Sequence, residues 1–225
     1  KTFKRWMMIS GLAKKVFSSF ALCLPSSQES KKYLKKLNIK NIKYIGNLKL
    51  AGSINLNLIK NRNKKVLSKK RNWCAVSTHD NEEIFCLRAH LFIKKFYKNF
   101  ITIIIPRHIS RSEEIKKFCN KFRLKSQILN EGELILKDKE IIIINSFGNV
   151  PNFLKYTNSV LMGKSIAKKF KNFGGQNPIE AAKIGCKVYH GPYINNFKEV
   201  YQILSRYKVS EKILSEIELS KKLIH

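Results

Sequence analysis

Between Trp73 and His190, short apolar runs rich in isoleucine and valine recur, each four or five residues long and each followed by a stretch of helical periodicity. Runs that brief suit strands better than helices, and continuous apolar character marks strands covered on both faces. The strand candidates are Trp73 to Ser77, Ile101 to Ile105, Ser126 to Leu129, Ile141 to Asn145, Ser159 to Met162 and Lys187 to His190. Helical patterns lie between and after them at about 81–98, 111–122, 150–156, 177–185 and 196–205. Strand, helix, strand in this order specifies parallel crossovers, hence an open α/β sheet with helices on both faces. In such sheets ligands bind beyond the carboxyl ends of the strands. The strand-to-helix loops are therefore where function is sought.

The first seventy residues read differently. Ile9, Leu12, Ala13, Val16, Phe17 and Phe20 recur at helical spacing, which predicts an amphipathic helix over 9–20. Two readings stay open for it, a helix packed on a domain body and a helix lying on a membrane surface. The run Phe20 to Leu24 predicts a buried strand, SSQES at 26–30 caps a helix reaching about Leu37, and Ile42 to Ile45 predicts a short strand ending at Gly46. From Leu50 to Lys70 the chain is polar and aperiodic, so a hinge or linker is expected near 49–54, with domains over 1–52 and 53–225.

Composition narrows the function classes. Of 225 residues, 44% are hydrophobic, enough for a sizeable core, which argues against disorder, collagen, a coiled coil or a disulfide mini-protein. The formal net charge is +30, but it comes from 37 Lys and only 8 Arg. Nucleic-acid readers lean on the Arg fork, so a specific nucleic-acid partner is not expected, and a basic nucleic-acid-binding protein is kept only as an alternative. The excess is either drift toward Lys, Asn and Ile or a field that attracts anionic lipid and phosphorylated substrates. Cys23, Cys74, Cys86, Cys119 and Cys186 form no C-x-x-C pair, and the 5 His lack metal spacing. A reducing compartment with no structural metal and no cofactor is the expectation. Uncharged stretches such as 99–106 and 141–154 fall short of the roughly 18 residues a spanning helix needs. The opening KTFKRWMMISGLAKK carries no secretory pattern, and a portion of a longer chain is expected.

Four loops can carry chemistry. Ser77-Thr78-His79-Asp80 precedes Glu82 and Glu83, a plain helix opening or a place where Thr78 and His79 face a ligand. Pro106-Arg107-His108 closes the second strand with a proline that stops the ladder and an arginine whose fork suits a phosphate. Gly174-Gly175-Gln176-Asn177-Pro178 leads into a helix whose unpaired amides favour an anion, with Glu180 placed to meet ribose hydroxyls. Gly191-Pro192-Tyr193 with Asn195, Asn196 and Phe197 follows the last strand, and it should share a crevice with the third loop. Gly163-Lys164-Ser165 is not a Walker A end, because Asn158 stands where that motif needs glycine.

The pieces STHDNEE (77–83), IIIPRH (103–108), NSFGNVPNFLKYTNSVLMGKS (145–165), FGGQNPIEAA (173–182) and GPYINNF (191–197) resemble, in this order, the carboxyl-terminal half of the 3-deoxy-D-manno-octulosonic acid (Kdo) transferases. FKRW (3–6), PSSQES (25–30) and GNLK (46–49) resemble the end of that family's amino-terminal domain and its approach to the hinge. The resemblance implies a GT-B-type, Rossmann-like parallel sheet, with 1–52 the end of the acceptor domain and 53–225 the donor domain. It implies a glycosyltransferase of lipopolysaccharide synthesis moving Kdo from CMP-Kdo to the lipid A precursor at the cytoplasmic face of the bacterial inner membrane. An anionic membrane surface is a further expected partner. A GT-B enzyme using another nucleotide sugar is the alternative.

By the same resemblance, Pro106, Arg107 and His108 border the donor, with Arg107 on its phosphate. Gly163, Ser165, Gly174, Gly175, Gln176, Asn177 and Glu180 line the nucleotide and sugar site, while Thr78, His79 and Asn196 are candidates to face substrate. The family's proposed base, a glutamate in an amino-terminal motif, is expected upstream of Lys1, so turnover by these 225 residues alone is not expected. Three positions depart from the family's usual glycine or histidine: Asn81, Lys164 and Gln176.

Overall fold

The computed structural model describes residues 2–224 and divides the chain into two compact units, Lys1–Ser53 and Ile54–His225.

Unit 1 carries helices α1 (Thr2–Met8), α2 (Ser10–Ser18) and α3 (Gln28–Lys36). Ser27 caps α3 by accepting the Ser30 amide at 3.1 Å, as the serine cluster predicts. The core is small: Ala13, Cys23, Leu37 and Ile39, with Phe3, Trp6, Phe17, Leu34 and Ile42 packed around them. Two expectations are corrected here. Ile9, Leu12 and Phe20 of the predicted apolar stripe are at least half exposed, because three short helices offer too little surface to cover every apolar side chain. The predicted strands at 20–24 and 42–45 reduce to a single parallel bridge between Cys23 and Ile42, and Leu22 and Leu24 stay exposed.

Unit 2 is a seven-stranded parallel sheet in the order β3-β4-β2-β1-β5-β6-β7. Its strands are β1 (Arg71–Thr78), β2 (Phe100–Pro106), β3 (Ser126–Leu129), β4 (Ile141–Ile144), β5 (Ser159–Met162), β6 (Lys187–His190) and β7 (Ser210–Lys212). Its helices are α4 (Lys64–Lys69), α5 (Glu82–Lys94), α6 (Ser112–Lys121), α7 (Val150–Leu154), α8 (Ile179–Ile184), α9 (Lys198–Arg206) and α10 (Glu216–Ile224).

The period-two alternation of strand side chains splits the core in two. Cys74, Val76, Ile103, Ile142 and Val160 point toward α4, α7, α8 and α9, while Trp73, Ala75, Ile104, Ile143 and Leu161 point toward α5, α6 and α10. Both faces are thus covered, which is why these strands read as uninterrupted apolar runs.

Six strands lie where their sequence patterns put them. β7 and α10 were not foreseen, since Ser-Glu-Lys is a polar edge strand, and α10 earns its place by packing Leu219 under α5. The polar stretch after Leu50 holds the boundary between the two units. From Ile54 it belongs to unit 2, where Asn61 donates to the Asn152 carbonyl (2.9 Å), Asn63 to that of Glu133 (3.1 Å) and Arg62 to that of Gly132 (2.9 Å). Asparagines that look like linker chemistry satisfy backbone groups here.

Candidate functional site

The first strand lies in the middle of the sheet. The chain builds β2, β4 and β3 on one side of it and then crosses to place β5, β6 and β7 on the other, so the order reverses between β1 and β5. Loops leaving those two strands must part in opposite directions, which opens a crevice beyond their carboxyl ends.

The end of β1 is held from both sides. Arg107 donates its amide to the Thr78 carbonyl at 3.0 Å, and Gly163 donates to the Val76 carbonyl at 2.8 Å. The ladder slips one residue between Val76 and Thr78, where Ser77 takes a left-handed φ of 55°. That bulge brings β1 so close to the next loop that a methyl at Gly163 would sit on the Ser77 carbonyl, and only glycine fits.

A cavity of about 170 Å³ opens at this point. Val76, Met162, Val150, Leu154 and Ala181 make its apolar walls, and Ser77, Arg107, Gln176, Asn177 and Glu180 supply its polar groups. Arg107 is exposed, and among the described residues no carboxylate pairs with it. A small-molecule pocket usually measures about 300–1,000 Å³. This one is smaller and opens outward at the carboxyl ends of β1 and β5.

The wall at 174–177 is built by close backbone approach. A methyl at Gly174 would strike the Tyr193 carbonyl, and Gly175 has a φ of 92° with Ile194 directly against it. Asn196 braces the turn, its amide donating to the Gly174 carbonyl (2.9 Å) and its side chain to that of Phe173 (2.9 Å). The Tyr201 hydroxyl from α9 donates to the Gln176 carbonyl at 3.1 Å. The fourth loop therefore supports the third from behind, and none of residues 191–197 lines the cavity. The helix that follows is six residues long, shorter than the predicted 177–185, and Asn177 Oδ1 already accepts the Ile179 amide at 3.1 Å. Its dipole is correspondingly small, which leaves Arg107 as the main positive group at the cavity.

The group that organises the crevice is Glu82. It is fully buried, and its carboxylate accepts four amides: Lys164 (2.6 Å), Ser165 (2.8 Å), Ile166 (2.9 Å) and His79 (3.1 Å). Burial pushes its pKa up, and the four donors pull it back. Beside it, buried Glu83 accepts both Arg111 Nε (3.2 Å) and a terminal nitrogen (3.3 Å) of the same fork. Sequence reading took both acids as ordinary helix-start carboxylates. Three of the amides that Glu82 meets lie 82 to 84 residues downstream, and the guanidinium that Glu83 meets lies 28 residues downstream.

The remaining expected residues fall around the cavity rather than on it. Ser165 is buried, donates to the Met162 carbonyl (2.6 Å) and accepts the Gly191 amide (2.9 Å), a knot between loops. His79 packs edge-on to Phe170 (5.1 Å between centroids) and His108 (6.1 Å), and burial, then the charges of Lys164, His108 and Arg107, lower its pKa, against a hydrogen bond to the Ser77 carbonyl. Thr78 is fully buried, with no partner for its hydroxyl among the described residues. Pro106 pairs with Thr78 and ends β2. Asn81 and Lys164, two of the positions where the family resemblance breaks, both hold left-handed backbone, at φ 72° and 58°. Among the described residues no group of three His, Cys, Asp or Glu is placed to hold a metal ion.

Residues 1–51 match the family model described as 3-deoxy-D-manno-octulosonic-acid transferase. The 3-deoxy-D-manno-octulosonic acid transferase of Aquifex aeolicus is 27% identical over 94% of this chain and 56% of its own length, and that of Rickettsia bellii is 25% identical over 97% and 52%. Over nearly its whole length the chain is thus similar to Kdo transferases. Its fold is shared with the C-terminal CMP-Kdo binding domain of WaaA from Acinetobacter baumannii, with a TM-score of 0.63 and 19% identity over 70% of this chain and 80% of that one. Anabaena Alr3699/HepE, solved in complex with UDP-glucose, shows the fold more distantly, with a TM-score of 0.52 and 11% identity over 95% and 56%. The chain spans about half the length of the curated family members it matches.

Proposed function

We propose that unit 2 is the donor-binding half of a Kdo transferase, that the cavity at the β1–β5 reversal receives the CMP end of CMP-Kdo, and that the acceptor is the lipid A precursor. The observation that carries this reading is the convergence of Arg107 and the Gln176, Asn177 and Glu180 wall on one hollow, from segments 69 residues apart in the chain. The relatives' names and the WaaA domain's described ligand support the choice of donor.

In this reading the Arg107 guanidinium faces the donor phosphate. When an acceptor hydroxyl oxygen bonds to the anomeric carbon, the bond from that carbon to the phosphate oxygen breaks and its electron pair leaves with CMP. Charge grows on the phosphate as this happens, so a fixed guanidinium stabilises the transition state more than the ground state. The proton of the acceptor hydroxyl passes to a base on the acceptor side, and no residue of unit 2 is given that role. In the same reading Glu180, which lines the cavity, accepts from the ribose hydroxyls.

The same reading puts the protein on the cytoplasmic face of the inner membrane. No helix among the described residues is long and apolar enough to cross a membrane, and a net charge of +30 favours anionic headgroups.

Calorimetry with CMP tests the site. The chain is expected to bind CMP, and Arg107→Ala to weaken binding by about 1.5–3 kcal/mol, the worth of a charged hydrogen bond. Equal affinities for the two proteins would remove Arg107 from the site, and preference for UDP over CMP would reassign the donor.

A further inference from the structure

Neighbouring residues of a regular strand face opposite sides of the sheet. Val76 packs in the core layer on the α7 and α8 side, so regular alternation would turn Ser77 toward α5. Yet both residues line the cavity. The cause is the extra residue in β1: the register with β2 slips between Val76 and Thr78, and Ser77 takes its φ of 55° there. Bulges beside functional sites re-aim side chains in this way.

A left-handed backbone costs a residue with a side chain energy that glycine avoids. Asn38, Arg123 and Lys208 share it just after helices α3, α6 and α9, where such a residue commonly closes the carboxyl end. Among the described residues Ser77 alone, glycines aside, holds it inside a strand. Its surroundings enforce it. The Ser77 carbonyl lies 3.1 Å from His79 Nδ1, and the backbone of Gly163 presses so close that an added methyl would come within 2.2 Å of that oxygen. The carbonyl is therefore committed, whereas the hydroxyl of this half-buried serine has no hydrogen-bond partner among the described residues. Strain that turns a free polar group into a cavity points to use.

Arg107 is its polar neighbour on the cavity wall. The Arg107 amide donates to the Thr78 carbonyl at 3.0 Å, so the two residues stand where adjacent strands end, while Gln176, Asn177 and Glu180 reach the cavity from the segment between β5 and β6. We infer that Ser77 is a second phosphate-binding residue of the donor site, its hydroxyl donating to the phosphate that Arg107 faces. The inference rests on the donor reading and deepens it. A guanidinium attracts the anion, and a hydroxyl donor beside it adds a second direction of hydrogen bonding, which limits how the phosphate can turn. Cytidine has no phosphate, so it should not sense this hydroxyl.

The test is calorimetry with CMP and ligand-observed NMR with cytidine, a method that reads millimolar binding, on the full chain as wild type, Ser77→Gly and Ser77→Ala. Both variants are expected to lower CMP affinity by roughly tenfold to a hundredfold, the range for a lost hydrogen bond to a charged group, and to change cytidine affinity by less than about twofold. Ser77→Gly should melt no lower than the wild type, because glycine takes that φ without strain, so its loss of affinity cannot come from a weakened fold even if Ser77→Ala folds poorly. Equal losses for CMP and cytidine would place Ser77 on the nucleoside, and unchanged CMP affinity in Ser77→Gly would free it of any ligand; either result overturns the assignment while the CMP site stands. A wild-type chain that binds neither ligand overturns the donor reading and this inference with it.

Discussion

Glu82→Gln keeps the shape of the side chain at the centre of the crevice and removes half of its accepting capacity. One oxygen of Glu82 serves His79 and Lys164, and the other serves Ser165 and Ile166. In the glutamine one of those oxygens becomes an NH2 group, so whichever way the amide turns, two buried backbone donors face another donor. An unsatisfied buried group costs about 1–3 kcal/mol, giving about 2–6 kcal/mol for the pair. Part of that is returned, because glutamine escapes the desolvation that already pushes Glu82 upward. A net loss of about 2–3 kcal/mol is therefore expected at neutral pH, a large share of the ~5–15 kcal/mol that holds a typical domain. Urea denaturation of both proteins measures it, and titration with CMP reports whether the loop carrying Gly163 and Lys164 has moved, with at least a tenfold loss of affinity expected. A variant destabilised by less than about 1 kcal/mol that binds CMP like the wild type would show that the loop stands without its central acid.

Gly163→Ala sets a methyl against the Ser77 carbonyl, backbone on backbone, and should cost about 1–3 kcal/mol by overpacking along with most of the CMP affinity; thermal melting and the same titration check both. At the opposite end of the sheet Glu140 is mostly buried, which opposes its ionisation, yet His90 at 3.5 Å and hydrogen bonds from Lys94 (2.9 Å) and the Lys125 amide (2.8 Å) hold it down to about 2. A depressed carboxylate stabilises the fold above its unfolded value near 4.5 and stops doing so as pH falls through about 2, a contribution of about 3 kcal/mol. Urea midpoints from pH 7 down to pH 2 should therefore fall more steeply for the wild type than for Glu140→Gln, and parallel curves would contradict the pairing.

The sheet was legible because its strands are buried on both faces, and uninterrupted isoleucine has few other destinations. The loops were legible for a similar reason: Gly163 and Gly175 occupy places where a side chain collides or strains. What escaped depends on partners distant in sequence. β7 is Ser-Glu-Lys, which pairs only because β6 offers it an edge, and Glu82 becomes a hub only when residues 164–166 arrive. Val150 and Leu154 form a wall of the cavity, but as two apolar residues in a five-residue helix they gave no sign of facing a ligand. The stripe on 9–20 shows the reverse error, since regular spacing of apolar residues marks a face without saying whether anything in the same unit is large enough to cover it.

A chain synthesised from its amino terminus delivers Glu82 to solution long before the amides it needs. While β2, β3 and β4 assemble along one flank of β1, that carboxylate lacks the amides of residues 164–166, and the end of β1 is held from the β2 side alone. The ligand pocket is consequently a late product of biogenesis, completed only once β5 and the segment from Gln176 to Ala181 have docked. A nascent chain halted near residue 158 would present half a sheet with an open seam along β1, a natural handle for a chaperone and a poor one for a nucleotide.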